Sequence, residues 1–515
     1  MKWRKIARAR ATLKREKGFV LKDWGGKISV ALVYPNTYYV GMSSLGFQTV
    51  YRLFNSEPDV VCERVFADPL FMDDEGPISL ESQRPLMDFS VVAFSIPYEL
   101  DYFQVAEALK RANIPLLSAD REEGDPLVIA GGPAVSANPE PLALLIDAFV
   151  IGEGEEVIPE LVTVLREKIH VPREILLEAL RKIQGIYVPL LHGSSDPPVV
   201  RRWVRNLDLY PVHSVVLTDK TEFGGMYLVE IERGCGRGCR FCLAGYIYLP
   251  SRERSVDSIL AQAKEGLKWR KTIGLVGFAV SDYSRMEELI EGLLALGAGI
   301  STSSLRAESV TERLIEALAR SSSTITLAPE AGCFSLRRII GKPIPEEDIL
   351  RVAELAAKYG IRRLKLYFMV GLPREKEEDL KAAGSLVGEI LKRFEGEIVV
   401  NISPFVPKPH TPFQRIAMIP EDELERRIKL LRRFLSKLKV KVRSESPAWS
   451  IVQATLSRGD RNTGLALVEV IEGQEKVTPA RWKKALEKAG VEISKILGPW
   501  LAGEILPWEK VVAVH

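Results

Sequence analysis

The sequence predicts an α/β chain in three parts: a Rossmann-like domain, a partial (β/α)6 barrel and a small α+β C-terminal region. Three observations carry this reading. Short apolar runs alternate with amphipathic helical periods from Lys27 to His170, and a second such series runs from Met226 to Ile402. Buried strands that alternate with helices pair in parallel through right-handed crossovers. In the first series, the strands run into turns rich in Gly, Pro, Asn or Ser at residues 35–41, 95–98, 131–139 and 152–155. Those turns mark the carboxyl ends of a parallel sheet, where such sheets bind ligands.

In chain order, residues 1–26 form a basic segment. Its first 18 residues carry eight Lys or Arg and one acid, Glu16. It reads as a solvated helix docked on the body. The Rossmann-like domain spans 27–170, with strands at 28–34, 60–66, 89–95, 126–130 and 148–151 and helices at 44–55 and 102–112. Residues 171–220 read as a linker, because Gly, Ser, Asp and Pro cluster at 193–198. The barrel spans 221–415, with strands at 226–232, 273–280, 299–303, 324–328, 363–370 and 397–402 and amphipathic helices between them. Its chemistry is expected at the carboxyl ends of those strands.

In the C-terminal region, 416–515, the charged helix 421–439 sets Leu424, Ile428, Leu431 and Leu435 on one face. A strand at 440–444 and a helix at 480–489 follow. The basic remainder of the charged helix, with Arg458 and Arg461, is a solvated face or a groove for RNA.

Composition narrows the function. With 515 residues, 46% hydrophobic and a net charge of +3, the chain is an ordinary globular protein whose charge announces neither nucleic acid nor membrane. There is no apolar run of about 18 residues to span a bilayer. The basic start lacks a signal-peptide core, so the expected location is cytoplasmic. Five cysteines do not make a disulfide framework in a chain this long, and three of them fall within eight residues. Such a cluster reads as metal ligation.

Those three are Cys235, Cys239 and Cys242, spaced Cys-x3-Cys-x2-Cys directly after the first barrel strand, with Phe241 before the last. Neighbouring glycines let the backbone fold around a bulky ligand. Three thiolates can hold three irons of a cubane and leave the fourth open. A zinc knuckle is the alternative, but it needs a fourth ligand and usually pairs cysteines as Cys-x2-Cys.

The loop resembles that of the radical S-adenosylmethionine (SAM) superfamily. The resemblance implies an oxygen-sensitive [4Fe-4S] cluster whose open iron chelates SAM and, once reduced by a partner such as flavodoxin or ferredoxin, cleaves it to a 5′-deoxyadenosyl radical. It also implies SAM-binding positions: Phe241 in the loop, Ser281 and Asp282 after the second strand, Ser304 and Arg306 after the third, and Glu330 after the fourth. Many members carry Gly-Gly-Glu after the second strand to hold the SAM amine, and that motif is missing here.

Residues 34–46, 131–140 and 151–155 resemble the cobalamin-binding-like domain that precedes the barrel in one class of the superfamily. The resemblance points to cobalamin near Tyr39, Gly41, Met42, Leu45, Ser95, Gly131, Gly132, Pro133, Asn138, Gly152 and Glu153. It carries no Asp-x-His-x-x-Gly motif, and His170, His192, His213, His410 and His515 all lie outside the candidate loops, so cobalt would have no histidine beneath it.

The function implied is cobalamin-dependent methylation of an unactivated carbon in a small-molecule, peptide or RNA substrate. The alternatives are non-methylating radical chemistry, including RNA modification, with a cobalamin-free N-terminal domain, or a cluster-binding scaffold without catalysis. Methylthiolation needs a second cluster, and the first domain offers only Cys62. Both Cys62 and Cys333 read as small buried hydrophobes.

Overall fold

The computed structural model describes residues 2–512 except 194 and 474, so His515 lies outside the described residues. The first sheet consists of β1 (Ile28–Tyr34), β2 (Val60–Phe66), β3 (Val91–Ser95), β4 (Leu127–Gly131), β5 (Ala148–Val150) and β6 (Ile186–Tyr187). Their order is β2-β1-β3-β4-β5-β6. All neighbours pair in parallel except β5 and β6. Strand order reverses between β1 and β3, which opens the crevice where doubly wound sheets take ligands.

Two layers cover this sheet. On one face Leu32, Ala93 and Ile129 pack with the helices Leu45–Ser56 and Gly154–Lys168. On the other, Phe94, Val128 and Phe149 pack with Tyr102–Arg111 and with side chains from the far end of the chain: Leu456, Leu467 and Trp482. The C-terminal region therefore completes the core of the N-terminal domain, through the helices Pro447–Arg458, Arg461–Glu472 and Pro479–Lys488.

The basic helix Lys2–Leu13 docks as expected, burying Ala9 and Leu13. Beyond it, Glu16 and Glu81 enclose the fully buried Arg64 of β2 with contacts of 2.7 Å each. A buried arginine with two carboxylates and good hydrogen bonds fixes the segment's register, since removal of either partner strands a charge.

The linker reading of 171–220 changes in one respect. Helix Arg173–Arg181 and β6 belong to the first sheet and its cover. A two-residue strand is too short to show a period in the sequence.

The barrel comprises β7 (Met226–Glu230), β8 (Thr272–Val276), β9 (Gly299–Thr302), β10 (Thr324–Glu330), β11 (Arg363–Val370) and β12 (Glu397–Pro404). A seventh parallel strand, β13 (Lys441–Ser444), extends it beside β12. Hydrogen bonding splits the wall into β7-β8-β9 and β10-β11-β12-β13, joined by a bridge from Leu305 to Leu327. Alternate residues of each strand (Tyr227 and Val229, Ile273 and Leu275, Leu364 and Leu366) face the surrounding helices in one continuous core. Residues between them face inward. Among the described residues no helix is long and apolar enough to cross a membrane.

Candidate functional site

β7 ends in a two-residue ladder, Glu232–Arg233 against Arg252–Glu253, which aims the cysteine loop over the barrel mouth. Gly234 sits at φ +86°, and a Cβ there would stand 2.4 Å from the Tyr248 carbonyl oxygen. Only glycine can start this loop. Arg240 N–H donates to the Ile340 carbonyl, and Phe241 packs with Leu336, Ile340, Phe405 and Phe413, so the loop rests on an apolar seat.

Cys239 is buried, while Cys235 and Cys242 are half-buried. Burial pushes the Cys235 and Cys242 thiols above their ordinary range, so ligation there has to displace protons. Among the described residues no three His, Cys, Asp or Glu side chains gather tightly enough to hold a single metal ion. Thiolates that each take a different iron of a cluster stand further apart than the ligands of one zinc.

The strand-end residues close around this loop. Arg306 directs Nη1 to Cys239 Sγ at 3.6 Å and Nε to Glu308 at 2.5 Å. Ser281 Oγ accepts the Arg306 backbone N–H at 2.9 Å. Asp282 takes both arms of Arg237, from the loop itself, at 2.6 Å each. Burial opposes charge on Asp282, yet Arg237 and the Ser309 hydroxyl hold its carboxyl below the usual range.

Glu330 pairs with Lys342 at 2.7 Å and adopts φ +64°, a left-handed conformation rare for a residue with a side chain. Such strain gathers at functional sites. Phe241, Ser281, Asp282, Arg306 and Glu330 thus lie in or against the loop's surroundings, and Ser304 is half-buried beside Leu305 without a hydrogen bond of its own. Cys62 is buried as expected, but Cys333 is not a buried hydrophobe: its sulfur caps helix Phe334–Ile339 and meets Asp379 at 2.8 Å.

Across the junction, a cleft of about 380 Å³ opens at the carboxyl ends of β1, β3, β4 and β5. Leu45, Ser95, Gly131, Gly132, Pro133, Gly152 and Glu153 line it, as do the barrel residues Arg233, Tyr248 and Phe278. The cleft continues as an apolar slot between helices Leu45–Ser56 and Gly154–Lys168, walled by Val50, Leu53, Phe54, Ala93, Ile129 and Leu161. Gly131 leaves its floor open, since a Cβ there would meet nothing nearer than Val150 at 3.6 Å.

Four sequence candidates lie elsewhere. Tyr39 is exposed and donates to Glu222, and Gly41 is bare because the Phe66 ring would stand 2.5 Å from its Cβ. Met42 is buried against Arg64 at 3.4 Å, and Asn138 donates to the carbonyls of Ser457 and Gly459. Their smallness or polarity serves packing within the protein.

Sequence reasoning missed the arginines of the junction. Arg233 donates to Glu153 and Glu155 of the first domain, at 2.8 and 2.7 Å, and pairs with Glu230 of the barrel at 3.0 Å. Arg252 pairs with Glu153 and Arg254 with Glu230. Three buried or nearly buried carboxylates meet three guanidiniums on one side of the cleft. The signal was present, an arginine beside the first cysteine, but its partners lie about 80 residues earlier in the chain.

A wider groove of about 1130 Å³ lies past the β3 turn, between helix Tyr102–Arg111 and the C-terminal helices. No barrel residue lines it, so it stands apart from the cysteine loop.

Comparison with known proteins decides the family. Residues 229–387 match the radical SAM superfamily, and residues 46–189 match the family described as radical SAM proteins, N-terminal. The uncharacterized protein MJ0966 of Methanocaldococcus jannaschii is 32% identical, over 84% of this chain and 89% of that protein. The chain belongs to the radical SAM superfamily.

Membership in the radical SAM superfamily implies a [4Fe-4S] cluster and SAM. A tRNA-2-methylthio-N(6)-dimethylallyladenosine synthase of Pelagibacter ubique is 25% identical over 41% of this chain and 50% of its own length. The radical SAM methyltransferase TsrM of Kitasatospora setae, solved with cobalamin and a [4Fe-4S] cluster bound, superposes with a TM-score of 0.56. It shares 13% identity and covers 90% of this chain and 99% of its own. At that identity the likeness is one of fold, and it extends through both domains.

Proposed function

We propose that this radical SAM protein is a cobalamin-dependent methyltransferase acting on an unactivated carbon, with Cys235, Cys239 and Cys242 as cluster ligands. The observation that carries this reading is the junction cleft. It opens at the switch point of the first sheet, is lined by Arg233 just before the cysteine loop, and runs into an apolar slot between two helices. An apolar slot leading from an open, glycine-floored rim suits a large planar ring with a heteroaromatic tail. The described histidines stand outside the cleft lining, so the site offers cobalt no imidazole.

When bound, cobalamin supplies a transferable methyl group. The protein's own contribution is positional. Arg306 and the Arg237–Asp282 pair fix charge around the thiolates. Arg233 locks the two cofactor-bearing domains in one register. The apolar walls Leu53, Phe54 and Ala93 exclude water from the slot. TsrM, a methyltransferase of the same two-domain fold, supports the assignment. Methylthiolation is disfavoured because it needs a second cluster, and Cys62 is a lone, fully buried thiol.

Leu53→Trp tests the slot. The added rings occupy the tail's place, so bound cobalamin falls from about one per chain to below roughly a tenth while cluster iron is unchanged. Protein purified anaerobically with hydroxocobalamin and desalted is read by visible absorbance and iron analysis. Equal cobalamin in both proteins, or none in the wild type, overturns the proposal.

A further inference from the structure

Glu232, at the end of the first barrel strand, is a buried acid that forms no ion pair among the described residues. Along β7 and its extension, Val229 and Ile231 join the core between strands and helices, so Glu230 and Glu232 point into the barrel. Glu230 is matched by Arg233 and Arg254. Glu232, 4% exposed, has a single donor: the Ala279 backbone N–H, 2.5 Å from Oε1. Its carboxyl lies across the end of β8, where Gly277 has to be bare, since a Cβ would stand 2.5 Å from Glu232 Cγ.

Burial, opposed by the Ala279 N–H and reinforced by the negative charges of Asp282, Glu253 and Glu230, pushes Glu232 up to about 7. Six cations of the mouth pair with other carboxylates: Arg233 and Arg254 as above, Arg237 with Asp282, Arg252 with Glu153, Arg306 with Glu308, and Lys342 with Glu330. Cys235 feels the Glu232 charge, which places the acid beside the loop. A buried carboxylate is tolerated when a cation with N–H donors meets it.

We infer that Glu232 receives the α-ammonium group of SAM. SAM carries two cationic centres, and only the ammonium has N–H groups to donate to the free oxygen. The sulfonium has none. Glu232 thus supplies, from the first strand, a carboxylate for the amine at a barrel mouth whose second strand ends in Gly277-Phe-Ala279. The inference rests on superfamily membership alone and is tested without cobalamin, so failure of the methyltransferase reading leaves it standing.

The test compares SAM with 5′-methylthioadenosine, which lacks the amino-acid end. Glu232→Gln, with its cluster reconstituted, should bind SAM roughly 10- to 100-fold more weakly by equilibrium dialysis and 5′-methylthioadenosine within about twofold of wild type. Iron content should match wild type. Without SAM, the variant's melting temperature should equal or exceed that of wild type, because an unpaired buried charge has been removed. The rise in melting temperature on adding SAM should shrink, and Glu232→Asp should recover part of the loss. Unchanged SAM affinity, equal weakening of both ligands, or loss of iron in both variants overturns the inference.

Discussion

Replacing Cys239 by alanine abolishes SAM cleavage, lowering 5′-deoxyadenosine formation by roughly a thousandfold or more. Cys239 is the buried member of the three, and Arg306 reaches its sulfur at 3.6 Å. Two half-buried thiols cannot hold a cubane that already leaves one iron without a protein ligand. The barrel itself stays folded, because its core lies between strands and helices and the loop's apolar seat, with Leu336 and Phe413, is separate from that core. Iron and sulfide analysis, with product formation under dithionite, reads the result. Cys333→Ala is the control: it removes a helix cap costing about 1 kcal/mol and leaves the cluster whole. A Cys239→Ala protein with full iron content and activity contradicts the ligand assignment.

Arg233→Ala destabilises the chain by about 3–5 kcal/mol, the cost of breaking a buried ion network by removing one side. Glu153, Glu155 and Glu230 each lose a partner at 2.7–3.0 Å, and the two domains lose the side chain that spans them. Arg233→Lys recovers little, since a single ammonium cannot serve three carboxylates in a fixed fork. Urea denaturation measures the loss.

The pH dependence has a definite sign. Burial would raise Glu153, but hydrogen bonds from Arg252 and the charges of Arg233 and Arg252 outweigh it and hold the carboxyl below its ordinary 4.5. A group depressed in the folded state contributes stability above its unfolded value and loses it as pH falls through the folded one. Wild type therefore loses stability on acidification below about pH 4.5, and the acid limb of Arg233→Ala is shallower. A variant with the wild-type midpoint and acid limb contradicts the junction's role.

The barrel strands were legible because each buries alternate residues against amphipathic helices, and the cysteine loop because its spacing and its place after the first barrel strand resemble those of the radical SAM superfamily. The cleft was half legible. Ser95, Gly131 and Gly152 stand where a strand-end rule puts ligand contacts. Gly41 and Asn138 obey the same rule but serve Phe66 and the C-terminal backbone.

Helices Pro447–Arg458 and Arg461–Glu472 were missed for a physical reason. Nearly every residue from Ser450 to Arg458 is buried, so the first of them has no polar face and no amphipathic period. That the chain's last helices complete its first domain is a long-range fact, absent from any local window. Glu232 and Arg233 were hidden inside an apparent strand end, and only their partners, or the lack of them, reveal what they do.

The central claim is a cubane held by three cysteines with one iron left for SAM. Mössbauer spectroscopy of the ⁵⁷Fe-reconstituted, oxidised protein tests it most directly. The account predicts that adding SAM shifts the signal of a single iron site, to a higher isomer shift, while the others stay unchanged. A spectrum indifferent to SAM at saturating concentration, or tightly bound zinc in place of the cluster, would contradict it.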